Sequence, residues 1–343
     1  LKALQGVFYP ELARLRPRNW PRPAVRLAKG ALHWRGLRRL VDNLRRSSPD
    51  IIHFQWTPLP AIDRLFLPAL RRIAPLVLTA HDSRPFNGAA WRLQKWGATR
   101  ILHEFDGVIV HTAEALARLA AQGCPPARVV RIPHGLLEDS EPVGGRPLQA
   151  SSRVRFLLFG KLKPYKGADV LIAALRQLPD DLRGRMEVLI VGQPQMDVAP
   201  LQQAANELGP ALRLDLRFVP DDEMSEMLSA ADVIVFPYRE IDVSGVLMAA
   251  LRHGRPVIAS RIGGFAELLA DGRHGFLVPP GDATALAGAI EKLCAEPATR
   301  LAMGAAVAEL GAAIPSWDEI AQRTAQFYAA LLASVRTSAR EQR

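Results

Sequence analysis

The segment from Val154 to Leu175 constrains the fold more than any other part of the chain. Residues 154–159 form an almost continuous apolar run, which predicts a buried strand that ends at Gly160. A lysine-rich loop follows, and after Gly167 the apolar residues return at helical spacing. This order of strand, glycine, basic loop and helix is half of a doubly wound α/β unit, in which anions bind at the carboxyl ends of the strands.

The loop between this strand and helix carries three lysines: Lys161, Lys163 and Lys166. Several ammonium groups in one loop suit a diphosphate, because its charge needs several donors once water is excluded. A solvated basic loop is the alternative, and a lysine-rich loop considered alone favours it.

A second set of elements further along the chain favours the diphosphate. The sequence predicts a strand, a helix, another strand, a glycine pair and a further helix: residues 232–236, a helix from Ser244-Gly245 to Gly254, residues 256–260, Gly263-Gly264 and the helix that bears Glu267. A serine and a glycine at a helix start leave backbone N–H groups for an anion, and the helix dipole adds to the attraction.

This order of elements resembles the donor domain of family-4 retaining glycosyltransferases of the GT-B fold. Three motifs carry the resemblance: FGKLKPYKG at 159–167, HGRPVIASRIGGFAE at 253–267 and DGRHGFLVPPGD at 271–282. Three ordered motifs are a far more specific signal than a lone glycine pattern. The resemblance implies transfer of a sugar from a nucleotide-diphosphate-sugar donor to a lipid-linked or saccharide acceptor, in polysaccharide or glycolipid assembly, with retention.

The same resemblance implies roles for individual residues. Lys161 and Lys166 would bind the diphosphate, whereas Lys163 would be a solvated neighbour. His81 ends a predicted strand and matches the family's TxH histidine, which lies beside the transferred sugar; a polar residue bonded to its own loop is the alternative. The implied catalytic residues are His81, Lys161 and Lys166, and the implied donor site comprises Gly160, Lys161, Lys166, Ser244, Gly245, Gly264 and Glu267.

The resemblance also concerns two positions that are glutamates in the family's motifs, Glu267 and Ala249 here. The motif match implies that Glu267 contacts the sugar hydroxyls or the loop that holds them; complementing the dipole at the start of its own helix is the alternative. Most family members also carry two glutamates in an E-x7-E arrangement, the second of which holds the donor ribose. That position is Ala249 here, and the chain resembles a subgroup that lacks the second glutamate.

A length of 343 residues predicts two domains, and alternating strands and helices predict an α/β fold with two doubly wound, Rossmann-like domains. The polar stretch 138–152 predicts a linker between an acceptor-side domain, 1–137, and a donor-binding domain, 153–315. The resemblance implies that a final helix in 316–343 crosses back to the first domain; an ordinary surface helix is the alternative.

The chain begins with Leu, and its first 50 residues do not match the short strand and glycine-rich loop that open a GT-B domain. We expect the N-terminal domain to lack its first βα unit, either because the sequence is a fragment or because the domain is shortened. Residues 1–50 also carry 12 Lys/Arg against 3 Asp/Glu, whereas the whole chain has a net charge of +10.

This basic block predicts an anionic partner. An anionic membrane surface fits, with the protein cytoplasmic and peripheral at the inner face; arginine enrichment without functional meaning is an equal alternative. A predicted helix at 24–44 would offer Leu27, Leu32, Trp34 and Leu37 for insertion, unless they pack on the domain core. No nucleic-acid-binding motif accompanies the block, so nucleic acid is not an expected partner.

The sequence predicts neither a metal ion nor another cofactor. No D-x-D pair of aspartates occurs, and lysines and helix N-termini would neutralise the leaving diphosphate. Cys124 and Cys294 match no metal-binding spacing and are expected to be reduced thiols. Two other functions stay open: a non-catalytic nucleotide-sugar-binding protein, and another GT-B enzyme such as a sugar-nucleotide epimerase.

Overall fold

A computed structural model describes residues 22–82, 98–136 and 153–341, which divide into two compact units. The first unit contains 1–110, 116–132 and 322–343, and its described part is built on a four-stranded parallel sheet. The second contains 111–115 and 133–321, with a six-stranded parallel sheet. The predicted α/β class with two parallel-sheet domains is confirmed. The predicted linker at 138–152 lies outside the described residues.

Helices and strands alternate through the first unit: α1 (Arg22–Ser47), β1 (Ile52–Phe54), α2 (Pro60–Arg71), β2 (Leu76–Ala80), α3 (Ala98–Leu102), β3 (Gly107–Val110), α4 (Ala113–Ala121, which starts in the second unit) and β4 (Val129–Arg131). The strands pair in the order β1-β2-β3-β4. Strands β2 and β3 are buried along their whole length, as expected for parallel strands covered on both faces. The carboxyl ends of β1 and β2 therefore lie side by side.

Helix α1 packs on α2 through a polar pair and an aromatic pair. The Nε2 atom of His33 lies 2.5 Å from an Asp63 carboxylate oxygen, and both side chains are buried. The other oxygen of Asp63 accepts a hydrogen bond from the backbone N–H of Leu59, which precedes α2. The rings of Trp34 and Phe66 meet edge to face at 4.7 Å. These contacts hold α1 against α2.

One prediction about apolar side chains on these helices is wrong. The sequence predicts a helix at 61–73 with an apolar face of Ile62, Leu65, Phe66 and Leu70. Leu65 is instead 64% exposed, and Phe66, Leu67 and Leu70 face the core. For Leu37, membrane insertion and packing on the core were both open, and its exposure of only 1% shows that it packs on the core.

The last helix, α13 (Trp317–Glu341), leaves the second unit after residue 321. Within the first unit, its Phe327 and Leu331 pack over Gly107 of β3. A Cβ atom at Gly107 would come within 2.7 Å of the Phe327 ring. A glycine at this position therefore lets the helix approach the strand closely.

His53 of β1 links that helix to the sheet. Its Nδ1 atom lies 2.5 Å from the Tyr328 hydroxyl, and its Nε2 atom lies 2.7 Å from the Thr79 hydroxyl of β2. Burial lowers the pKa of His53 to about 4. The ring is therefore neutral at physiological pH and can both donate to and accept from these hydroxyls.

The second unit repeats the alternation: β5 (Val154–Phe159), α5 (Ala168–Gln177), α6 (Asp180–Gly184), β6 (Met186–Val191), α7 (Ala199–Leu208), β7 (Leu212–Asp215), α8 (Asp221–Ala230), β8 (Val233–Phe236), α9 (Gly245–Arg252), β9 (Val257–Ser260), α10 (Gly263–Leu268), β10 (Gly275–Val278), α11 (Ala283–Ala295) and α12 (Pro297–Ala313). The strand order is β10-β9-β8-β5-β6-β7. The direction of winding reverses between β5 and β8, and ligands of doubly wound sheets bind in the crevice at such a point.

The sequence predicts a strand near 213–219, and strand β7 is shorter than that prediction. It ends at Asp215, whose carboxylate binds the guanidinium of Arg217 two residues later. The same guanidinium reaches Glu223 on α8. These ion pairs lie where the chain leaves the sheet, so the later residues of 213–219 are not part of the strand.

Candidate diphosphate site

Two loops meet at the crevice between β5 and β8: the β5–α5 loop (160–167) and the β8–α9 loop (237–244). The backbone N–H of Arg239 donates to the carbonyl of Tyr165 at 2.7 Å, and the Arg239 guanidinium pairs with Asp169 at the start of α5. Gly167 has a φ of +69°, and a Cβ there would lie 1.9 Å from the Pro237 carbonyl oxygen. Only glycine therefore allows the loops to approach this closely.

Lys166 lies at the bottom of this junction, in a short 3₁₀ turn, and is only 7% exposed. Its Nζ atom donates to the Phe159 carbonyl at the end of β5, at 3.2 Å, and lies 5.0 Å from the centre of the Tyr238 ring. A Cβ at Gly160 would come within 2.6 Å of Nζ, so glycine leaves room for the ammonium group. Burial lowers the pKa of Lys166 to about 8.

Tyr238 gives the Lys166 ammonium an aromatic neighbour that sequence reasoning missed. Its ring is buried, and its neighbouring rings are those of Tyr165, Phe236 and Phe265. Burial raises the pKa of Tyr238, and the nearby Ser244 side chain opposes this rise. The geometry between the two hydroxyls is too poor for a regular hydrogen bond, since the Tyr238 hydroxyl has no partner within bonding distance and angle.

The other two lysines of the loop differ in exposure. Lys161 is exposed, and Lys163 is half-buried with its Nζ atom 5.9 Å from the centre of the Tyr165 ring. Lys161 can therefore reach solvent-borne anions without prior desolvation. The expectation that Lys163 is a fully solvated neighbour is only partly met, because its side chain lies against an aromatic ring.

Ser244 is the N-cap of α9, and its side chain oxygen accepts a hydrogen bond from the Leu247 N–H at 3.3 Å. This contact satisfies one of the helix's unpaired N–H groups. Gly245 is the first helical residue, so the N-terminal backbone amides of α9 open at the same sheet edge as the lysine loop. The pattern predicted both the helix start and its capping residue.

The glycine pair packs against the β8–α9 loop. Gly263 has a φ of +46°, and a Cβ there would lie 1.9 Å from the Ile241 carbonyl oxygen. The N–H of Gly264 donates to the Asp242 carbonyl at 2.8 Å. The pair therefore positions the loop that precedes α9, a structural role for the motif in addition to the implied donor contact.

Glu267 lies near the end of α10, not at its start, so the interpretation that it complements the dipole of its own helix is wrong. Its carboxylate instead accepts a hydrogen bond from the Ala113 backbone N–H, at 2.6 Å, at the first turn of α4. Thr112 caps the same turn by accepting from the Ala115 N–H at 3.1 Å. Both contacts lie within the second unit. Ala249 is buried in α9 and offers no polar group.

His81 belongs to the first unit and therefore lies on a different sheet edge from the lysines. It follows β2, and its Nε2 atom lies 3.1 Å from the side chain oxygen of Gln55. The indole of Trp56 stacks on it with ring centres 4.9 Å apart and an angle of 22° between the planes. Gln55 and Trp56 were not among the predicted site residues, because a single aromatic residue after a strand carries no periodic signal.

No group of three or more His, Cys, Asp or Glu side chains that could hold a metal ion occurs in 22–82, 98–136 or 153–341. Both cysteines are buried thiols, and burial raises their pKa values.

Two family models match this chain, and together they span most of it. Residues 153–296 match "Glycosyl transferases group 1", and residues 6–137 match "Glycosyltransferase Family 4". The two solved structures described next match the fold of this chain with TM-scores of 0.70 and 0.69, so the predicted GT-B fold is confirmed.

The first of these solved structures is the Anabaena protein Alr3699/HepE in complex with UDP and glucose, which is 20% identical, with a TM-score of 0.70 over 86% of this chain and 81% of that one. The second is sucrose-phosphate synthase from Thermosynechococcus elongatus, which is 24% identical, with a TM-score of 0.69 over 88% of this chain and 79% of that one.

Curated relatives include the D-inositol 3-phosphate glycosyltransferases of Streptomyces scabiei and Geodermatophilus obscurus. Both are 30% identical to this chain, over 69% and 64% of its length respectively. The matches span 56% and 54% of those relatives, so the chain covers about half the length of each.

Proposed function

The chain belongs to the group 1 glycosyltransferases of family 4, and from that premise we propose that it transfers a sugar from a nucleotide-diphosphate-sugar donor to a polysaccharide or glycolipid precursor, with retention. The observation that carries the proposal is the junction at the β5/β8 crevice. There an exposed lysine, a buried lysine and the N-terminus of α9 open at one sheet edge. The complexes of Anabaena HepE with UDP and glucose support a donor of this chemistry.

The junction suits the departure of a nucleoside diphosphate. When the bond between the sugar and the diphosphate breaks, negative charge develops on the phosphate oxygens, and donors fixed in advance stabilise it. Lys161 and the first amides of α9 are accessible for this role, and Lys166 supplies a second ammonium group held by the Phe159 carbonyl. These groups neutralise the leaving group with the chain's own residues.

His81 is the proposed residue beside the transferred sugar. Its ring is oriented by Gln55 and Trp56, so it can present one fixed edge to a substrate. We expect His81→Ala to lower kcat while nucleotide affinity is nearly kept, because the diphosphate ligands belong to the other unit. A variant that loses nucleotide binding but turns over normally would contradict this role.

A donor panel tests the proposal. UDP-, GDP- and ADP-sugars are incubated with the purified protein, and release of nucleoside diphosphate is measured with and without saccharide acceptors. We expect one nucleotide class to be consumed, and Lys161→Ala to lose roughly 10- to 100-fold in kcat/KM, from about 1.5–3 kcal/mol per charged hydrogen bond. Lys163→Ala, in the same loop, is the matched control and should lose much less.

The outcomes separate the open alternatives. Nucleotide binding without any release of diphosphate would favour a non-catalytic binding protein. Conversion of the donor to an isomeric sugar nucleotide or a free rearranged sugar would favour an epimerase. Proton NMR of a transferred product reports the configuration at the anomeric carbon, and inversion would contradict the retaining assignment.

An anionic membrane surface is the second proposed partner, supported by the exposed face of α1. Among the side chains of this helix that the structure describes, one exposed acid, Asp42, stands against six exposed cations: Lys29, Arg35, Arg38, Arg39, Arg45 and Arg46. Each Lys or Arg near an anionic surface contributes up to about 1 kcal/mol. Leu27 is largely exposed and Trp34 is partly exposed, so both can contact the membrane, whereas Leu37 is buried in the core. No helix of the described segments is long and apolar enough to cross a bilayer.

Sedimentation with phosphatidylglycerol and phosphatidylcholine vesicles tests this attachment. We expect binding to the anionic vesicles at low salt and loss at high salt, because screening acts over roughly 10 Å at 0.1 M salt. The variant Arg35→Gln/Arg38→Gln/Arg39→Gln should bind less than Arg176→Gln/Arg213→Gln, which removes exposed cations from the second unit. Equal binding to both lipids, or none, contradicts the proposal.

A further inference from the structure

Trp56 is an indole on the surface of the first unit, where a side chain of this size is normally buried. It is 64% exposed, although burial of a large aromatic side chain stabilises a fold. It is the second residue after β1, at the carboxyl edge of the sheet, beside the end of β2. Ligands of open α/β sheets bind outside the carboxyl ends of the strands, so this indole lies where a ligand is expected.

The indole is held in one orientation from behind. One face lies on the His81 ring, nearly parallel and 4.9 Å away between centres. The Gln55 carboxamide fixes His81 from the side at 3.1 Å, and its nitrogen lies 3.4 Å from Nε2 of His53 within β1. The chain of contacts ends in the buried sheet, so the opposite face of Trp56 is presented to solvent as a rigid platform. A rigid platform loses little entropy when a ligand binds.

The chemistry of this platform favours an uncharged sugar ring. An indole face carries negative charge density and attracts the weakly positive C–H groups on the apolar face of a pyranose. The same negative charge density disfavours the anionic oxygens of a phosphorylated ligand on this face.

We propose that Gln55, Trp56 and His81 form a subsite for a pyranose ring of a saccharide acceptor, with Trp56 as its stacking face. The subsite rests on the proposed glycosyltransferase function and narrows it, because it specifies a saccharide acceptor rather than a polyol phosphate or an isoprenoid chain. The acceptor sugar lies flat on the solvent-facing side of the indole, and His81, held by Gln55, supports the indole from the other side.

The test follows the indole N–H signal of Trp56 by ¹H–¹⁵N NMR. The chain has six tryptophans, and the signal missing from Trp56→Phe identifies residue 56. The probes are the methyl glycosides of glucose, galactose, mannose and N-acetylglucosamine, with D-myo-inositol 3-phosphate and farnesyl phosphate for comparison. We expect at least one glycoside to shift this signal saturably. Saturation-transfer NMR should show that Trp56→Ala weakens the same glycoside roughly 3- to 10-fold and that Trp56→Phe weakens it less.

Leu65→Ala is the matched control, because Leu65 is an equally exposed apolar residue of the same unit, and it should bind the glycoside as the wild type does. The inference is overturned if no glycoside shifts the Trp56 signal or if Trp56→Ala binds the glycoside as tightly as the wild type does. It is also overturned if inositol phosphate or farnesyl phosphate shifts the Trp56 signal and the glycosides do not. Failure of the proposed function is seen separately, as absence of nucleoside diphosphate release by the wild-type protein.

Discussion

Replacing Lys166 with methionine should make the ligand-free protein more stable while weakening its diphosphate site. Methionine is similarly long and unbranched, so it fills the space under Tyr238 without the ammonium group. The change removes a charge that folding takes out of water, and buried charge is costly unless it is fully compensated. One carbonyl and one ring face are the partners of Lys166 Nζ in the described junction.

The size of the expected stabilisation follows from the pKa of Lys166. The ordinary pKa of lysine is 10.5, and burial lowers that of Lys166 to about 8. A difference of about 2.5 units corresponds to about 3 kcal/mol at pH 7, where both the folded and the unfolded chain carry the proton. The penalty falls as pH rises from about 8 to about 10.5, because the folded chain loses the proton first and the unfolded chain still holds it. Loss of the hydrogen bond to Phe159 offsets about 1 kcal/mol of the gain.

Chemical unfolding of the second unit, followed between pH 7 and pH 10.5, measures the effect. We expect Lys166→Met to be more stable than wild type by about 1–3 kcal/mol at pH 7, with the advantage shrinking toward pH 10.5. Lys161→Met, at an exposed site of the same loop, is the control and should show no such convergence. A variant that is less stable at pH 7, or an advantage that does not change with pH, would refute the argument.

Three further predictions concern the rest of the molecule. Because the pKa of His53 is about 4 when folded, against 6.5 ordinarily, stability should fall by up to about 3 kcal/mol as pH drops from about 6.5 to about 4; His53→Gln should flatten this part of the unfolding profile. Gly167→Ala should lower the melting temperature strongly, because its Cβ would lie 1.9 Å from the Pro237 carbonyl oxygen, whereas Gly184→Ala, with open space around it, should not. EDTA should leave nucleotide release unchanged, given the absent D-x-D pair; activity abolished by EDTA and restored by Mn²⁺ or Mg²⁺ would contradict that expectation.

Elements whose signals are local could be predicted from the sequence. The strand at 154–159 has the predicted bounds, because strands buried on both faces are apolar almost throughout. The sequence also predicts a helix at 112–122 capped by Thr112 and a helix start at Ser244, and both are confirmed, since an N-cap needs only its own side chain and the next turn. Gly160 and Gly167 were predicted to mark the end of the strand and the point after which the helix begins. The structure shows the close approaches that require glycine at both positions.

Features set by partners distant in sequence could not be predicted. Asp63 is buried against His33, which lies thirty residues earlier in the chain, and Leu65 of the same helix is exposed. Glu267 binds the backbone of Ala113, 154 residues away, and no local pattern encodes that choice. Tyr238 and Trp56 acquire their roles only when neighbouring loops bring Lys166 and His81 against their rings.

Calorimetric titration of nucleoside diphosphates tests the central claim, that the β5–α5 loop and α9 hold a diphosphate. UDP, GDP and ADP are titrated into wild type, Lys161→Ala, Lys166→Ala and Lys163→Ala, at pH 8 in two buffers of different ionisation enthalpy. We predict that one nucleotide binds with uptake of roughly half a proton, because the anion raises the pKa of Lys166 from about 8. Lys166→Ala should lose the proton uptake, and Lys161→Ala and Lys166→Ala should each bind roughly 10- to 100-fold more weakly than Lys163→Ala. Equal affinity in all four proteins, or proton uptake that persists without Lys166, would contradict the account.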